Sequence, residues 1–167
     1  LALPKGHQTD PDFRLVTITH LSMGEPAFGI TPGAAEIWVT LRTQQDAAMA
    51  ALRADAQAII RDAAARYDLA ADFDWQDDFA ASINHPEATA IAAAASDATG
   101  LTVTPENLPM RPSEDFGRFA ARAKTAMIFL GAGADCPPLH AQNYDFPDAL
   151  IAPSVRLFDR IARDLTG

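Results

Sequence analysis

The periodicity of apolar residues changes twice in the first half of the chain, and this change restricts the fold more than any other feature of the sequence. Apolar and polar residues alternate over residues 13–21 and again over 35–43, which predicts two strands that are each buried on one face. Over residues 44–68 apolar residues recur every three or four positions, as in an amphipathic helix. A weaker alternation over 72–80 indicates an edge strand. This order of elements is most of an α+β sandwich, although not a complete one.

The second half of the chain mixes predicted helices with one predicted strand. Asn84 is typical of a helix N-cap, and Ser113 opens a second, short helix. The continuous apolar run over residues 126–130 ends in a glycine-containing turn, which predicts a buried strand followed by an irregular segment. A closing helix is expected to have Pro153 in its first turn. Its apolar stripe consists of Val155, Phe158, Ile161, Ala162 and Leu165.

The charge balance argues against several kinds of partner. The 22 acidic and 13 basic residues give a net charge of −9, which repels nucleic acid and anionic membranes. No apolar run approaches the roughly 18–20 residues that a membrane span needs. The single Cys136 excludes an internal disulfide framework and fits a reducing cytosol, so we expect a cytoplasmic protein. Apolar residues make up 49% of the chain, enough to build a core without a disulfide or a structural metal.

Two places in the second half could carry chemistry. His140 lies in a predicted loop after the predicted buried strand, where open α/β sheets place their ligands. An imidazole there can bind zinc or manganese, and a hydrogen-bonded surface histidine is the alternative. Ser113 and Glu114 stand at a predicted helix start, where acidic groups stabilise the helix dipole, so helix capping and a role in a site both remain open. From the residues alone, the chain is an acidic α+β domain with one candidate site.

Several motifs, taken in order, resemble the C-terminal end of one enzyme family. They are Ser-Glu-Asp-Phe at 113–116, Phe-Leu-Gly-Ala-Gly at 129–133, and Leu-His-x-x-x-Tyr-Asp-Phe-x-Asp at 139–148. Upstream, Gly-Glu-Pro-Ala-Phe-Gly-Ile-Thr-Pro at 24–32 and Val-Thr-Leu-Arg-Thr at 39–43 resemble the lid strands of the same family. The family is that of the co-catalytic metallopeptidases, family twenty. It includes aminoacylases, hippurate hydrolases, auxin-conjugate amidohydrolases and N-acetyldiaminopimelate deacetylases.

The resemblance implies a fold and an activity. Residues 1–82 would be a partial ferredoxin-like lid domain that forms a homodimer, and residues 83–167 the C-terminal part of a zinc-peptidase-like α/β catalytic domain. In such enzymes two divalent metal ions (Zn, Mn or Co) activate a water that attacks an amide bond of an N-acyl amino acid or small peptide. By motif position, His140 would be a metal ligand, Ser113 and Glu114 pocket residues, and Arg42 either a contact to the substrate carboxylate or a structural contact.

Two departures from the family pattern limit what this chain is expected to do alone. Gly29 stands where the family has an asparagine that helps to hold the substrate or the oxyanion, and glycine has no side-chain donor. The upstream motifs that supply the other metal ligands and the glutamate general base are absent. With Leu1 in place of an initiator methionine, we expect an inactive C-terminal fragment of a larger hydrolase, with no catalytic residue and no stably bound metal of its own. The alternative is a non-catalytic dimerisation or binding module derived from the same family.

Overall fold

The alternating segments of the first half form a two-stranded antiparallel sheet. The computed structural model describes residues 3–7, 9–105 and 108–167. In it, β1 spans Arg14–Met23 and β2 spans Ala35–Thr43, so both predicted strands are confirmed. A bulge interrupts the pairing between Ile18 and His20, and it brings the His20 ring to 4.9 Å from the ring of Trp38.

The described residues divide into two units. One takes in the described residues of Leu1–Ala81 together with Pro109–Ser113, and the other takes in those of Ser82–Leu108 together with Glu114–Gly167. The first unit contains the sheet and one long helix, and the second contains two helices and two short 3₁₀ helices. The fold is therefore mixed α/β, as predicted. The ferredoxin-like and zinc-peptidase-like identities of the two parts, and a boundary near residue 82, stay predictions.

The helix of the first unit confirms the helical periodicity that follows the strands. This helix, α1, spans Asp46–Ala65 and packs on β2. Its Leu52 has no solvent exposure and is the largest fully buried side chain among the described residues. At the edge of this packing, Arg14 of β1 donates to Asp55 of α1 over 2.6 Å. The apolar face of α1 thus supplies the centre of the first unit's core.

Residues 72–80 form no strand, so the predicted edge strand is wrong. The segment lies along α1 instead. The guanidinium carbon of Arg61 is 5.0 Å from the centre of the Phe73 ring, and that of Arg53 is 4.2 Å from the centre of the Trp75 ring. A strand requires a neighbouring strand that pairs with its backbone groups, and no described strand pairs with this segment.

The second unit begins with α2, which spans Pro86–Ala98. The predicted N-cap, Asn84, is wrong by one residue. The cap is His85, whose Nδ1 accepts a hydrogen bond from the backbone N–H of Glu87 at 3.2 Å. Proline is favoured at the first helical position, and Pro86 therefore makes the preceding residue the cap.

Asn84 has a different role, which is to bind the backbone of a distant segment. Its Nδ2 donates to the carbonyl oxygen of Met127 at 2.9 Å, and its Oδ1 accepts from the N–H of Met127 at 2.8 Å. Next to it, the N–H of His85 donates to the carbonyl oxygen of Thr125 at 2.7 Å. A side-chain amide thus takes the place that a neighbouring strand would have in a sheet.

This arrangement explains why the predicted buried strand over residues 126–130 is also wrong. The segment is not assigned as a strand, and none of its residues is buried; Phe129 is 55% exposed. A strand of continuous apolar residues is buried when sheet neighbours and covering helices surround it. In the described part of the chain, the backbone of this segment is bound only by the side chain of Asn84, at Met127.

The remaining helices are close to prediction. The short helix after Ser113 is a 3₁₀ helix, Asp115–Ala121, and a second 3₁₀ turn, Asp148–Leu150, precedes the closing helix. The closing helix, α3, spans Ile151–Thr166, so Pro153 lies in its first turn as expected.

The predicted apolar stripe of α3 is largely exposed to solvent. Val155, Phe158 and Leu165 are each at least 60% exposed, whereas Leu157, which is outside the stripe, is 3% exposed. The helix packs on α2, and Phe158, Ile161 and Leu165 of the stripe line a cavity together with Ile91 and Ala92 of that helix. The stripe therefore lies on the side that faces α2, although most of its side chains stay partly exposed.

Few side chains are buried in either unit. The buried apolar residues among those described are Leu3, Leu52, Ala92, Ala95 and Leu157. On the sheet, Ile18, Leu21 and Ile37 are all more than half exposed, so the apolar content of the sequence does not produce a large core. None of the helices in the described ranges has the length and apolar character needed to cross a bilayer.

Candidate functional site

Two of the predicted site residues are in contact within the first unit. Arg42 lies near the end of β2, and Ser113 lies in the segment Pro109–Ser113. The Nη1 of Arg42 donates to the carbonyl oxygen of Arg111 at 3.0 Å and to the Oγ of Ser113 at 3.4 Å. Among the described residues these bonds use only Nη1, so Nη2 and Nε can still donate to a ligand. A half-buried guanidinium with these donors is suited to bind a carboxylate through two parallel hydrogen bonds.

Sequence reasoning missed Arg111, which takes part through its main chain. The signal that could have found it is the pair of prolines, Pro109 and Pro112, on either side. Proline fixes its own φ and restricts the residue before it. Such a stiff segment holds a carbonyl oxygen in place as an acceptor for Arg42.

Glu114 belongs to the second unit and is exposed. It occupies the N-cap position of the 3₁₀ helix Asp115–Ala121, but its side chain makes no capping hydrogen bond. Helix capping by the side chain therefore does not explain why a glutamate stands at this position. The carboxylate of Glu114 is accessible to solvent.

Gly29 has a left-handed backbone, with φ of 78°. No atom lies within 4 Å of the position that a Cβ would take there, so a side chain would meet open space. Glycine adopts this conformation freely, and asparagine is one of the few other residues that adopt it readily. The backbone at this turn therefore suits both the glycine of this chain and the asparagine of the family pattern.

His140 is exposed and lies in a turn in which the N–H of Ala141 donates to the carbonyl oxygen of Pro138 at 3.1 Å. Its φ is 70°, a left-handed conformation that is uncommon outside glycine. Residues held in such conformations concentrate at functional sites, because the surrounding structure must stabilise the strain. His140 therefore lies in a turn as predicted, but no strand precedes it over residues 126–130, and its strained backbone was not indicated by the sequence.

The described residues do not form a two-metal centre. No group of three or more histidine, cysteine, aspartate or glutamate side chains comes together within residues 3–7, 9–105 and 108–167. Zinc in proteins takes four ligands at structural sites and three protein ligands at catalytic sites. His140 alone does not meet that requirement, and the chemistry of such a centre cannot be assigned to the described side chains.

Ion pairs lower the pKa of several exposed carboxyl groups. In each case the hydrogen bond from the basic partner is the largest cause and the partner's charge acts in the same direction. The pairs are Asp12 with Lys5, Glu87 with Lys124, and Asp159 with Arg163. Each pKa in the folded chain lies below its ordinary value. The stability from these pairs is therefore fully present at pH values above the ordinary carboxyl pKa. It is lost as the pH falls through the lowered pKa.

Comparison with known proteins identifies the family. The model of the peptidase family M20/M25/M40 matches residues 4–164, whereas no curated protein and no solved structure matches the chain. Members of this family are typically dinuclear zinc, cobalt or manganese enzymes. The match takes in β1, β2, all three helices up to Asp164 and every candidate site residue. The chain therefore belongs to the M20/M25/M40 peptidase family.

Proposed function

We propose that this chain is part of a metal-dependent hydrolase that cleaves amide bonds in N-acyl amino acids or small peptides. The family match over residues 4–164 carries the proposal. The choice of N-acyl amino acids rests on the motifs at 113–116, 129–133 and 139–148, which resemble the aminoacylase and hippurate hydrolase group. Arg42 supports it as well, because an N-acyl amino acid has a free carboxylate and a guanidinium is the side chain that recognises one best.

In this proposal the candidate residues have distinct roles. His140 contributes one metal ligand, and Arg42 binds the substrate carboxylate while Ser113 and the carbonyl of Arg111 hold its guanidinium in place. Glu114 is proposed as a pocket residue because of the Ser-Glu-Asp-Phe motif at 113–116. Gly29 gives the lid turn its left-handed backbone without the side-chain amide that the family pattern provides.

We further propose that the chain is inactive alone. The support is chemical: His140 is a single donor, and the described residues do not bring two further histidine, cysteine or carboxylate ligands together with it. The remaining ligands and the general base would be supplied by polypeptide outside residues 1–167. A homodimer through residues 1–82 is the proposed assembly, since β2 pairs only with β1 among the described residues and exposed apolar side chains favour association.

The alternative is a non-catalytic module that keeps the dimerisation surface. The exposed side chains Ile18, Leu21 and Ile37 favour it, because they would serve association whether or not hydrolysis occurs. The two functions differ in one property. A binding module has no need of a guanidinium that recognises a substrate carboxylate, whereas the hydrolase does.

The test of the proposed function is therefore the role of Arg42, measured in a protein that contains residues 1–167 together with the remaining metal ligands. For an N-acetyl amino acid, Arg42→Met is expected to raise KM by about tenfold or more with a much smaller change in kcat, because it removes binding that the substrate and the transition state share. Arg42→Lys should recover part of the affinity as a point charge.

A matched control is the N-acetyl amino acid amide, which has no carboxylate. Its KM should be high in the parent protein and unchanged by Arg42→Met. Equal KM values for the acid and the amide in the parent protein, or an unchanged KM for the acid in the Arg42→Met variant, would contradict the assignment of Arg42 to the carboxylate.

A further inference from the structure

We draw no further inference here: the strongest candidate, the apolar cavity of about 260 Å³ between α2 and α3 with the Lys124–Glu87 ion pair in its wall, carries nothing, because its two charges select no one class of ligand and nothing in the structure shows what covers it.

Discussion

Replacing Leu52 with alanine is expected to lower the free energy of unfolding of the first unit by about 2–5 kcal/mol, the range for removing a fully buried leucine. Leu52 has no solvent exposure, and Leu3 is the only other buried apolar side chain among the described residues of that unit. With so few buried neighbours, a cavity at this position removes much of the apolar packing. Domains are stable by only about 5–15 kcal/mol, so the variant should unfold at a much lower urea concentration.

The measurement can be restricted to the first unit, because Trp38 and Trp75 both lie in it. Urea unfolding followed by tryptophan fluorescence should shift strongly for Leu52→Ala. Leu21→Ala is the matched control, since Leu21 is 65% exposed on β1, and its effect should be within about 0.5 kcal/mol. Leu157→Ala, in the second unit, should change the circular dichroism transition more than the fluorescence transition. Equal shifts for Leu52→Ala and Leu21→Ala would contradict a core centred on α1.

His140→Ala should have the largest effect on activity. The protein assayed combines residues 1–167 with the remaining metal ligands. In it, we expect kcat/KM for an N-acetyl amino acid to fall by at least about 100-fold. Loss of a residue that only hydrogen-bonds to a metal ligand costs up to about 100-fold, and loss of the ligand itself should cost at least as much. The metal content of the purified protein should fall with it. The physical reason is that a ligand residue fixes both the presence and the position of the metal.

The matched control for His140→Ala is His7→Ala. His7 is also exposed, and its Nδ1 lies 3.1 Å from the hydroxyl of Thr9, so its removal should leave kcat/KM within about twofold. Unchanged activity and unchanged metal content in His140→Ala would exclude it as a ligand. A loss of activity with full metal content would place His140 in the pocket rather than on the metal.

The sequence predicted the helices and the paired strands because those elements depend on local order. The alternating segments and the helical segment each have their own periodicity. The bounds of β1, β2 and α1 follow these periodicities closely. Residues 72–80 and 126–130 have strand-like sequences but are not strands, because a strand also needs a neighbour. Periodicity indicates which side of a segment is apolar and says nothing about whether a partner is present for its backbone.

The start of α2 shows a finer conflict between two local signals. Asn84 is a good capping residue, yet Pro86 at the first helical position places the cap at His85. Asn84 is then free to bind both backbone groups of Met127, which is 43 residues away. No local rule predicts a contact over that distance.

The sequence predicted which residues belong to the candidate site but not how they contact one another. Arg42 and Ser113 were selected by resemblance to a family motif, and their contact spans 71 residues of sequence. The carbonyl of Arg111 was not selected, because the motif records side chains and the interaction uses the main chain. For His140, the loop position follows from the sequence pattern, whereas the left-handed φ of 70° depends on the turn that surrounds it.

The most direct test of the central claim is an assay of the chain itself, residues 1–167, with an N-acetyl amino acid and added zinc, manganese or cobalt. If the chain supplies one ligand to a centre that other polypeptide completes, hydrolysis should equal that of the metal and buffer alone. After dialysis, the protein should then retain far less than two metal ions per chain. Hydrolysis that requires metal and is lost in His140→Ala, with two metal ions retained per chain, would show that residues 1–167 contain a complete metal centre and would contradict the account.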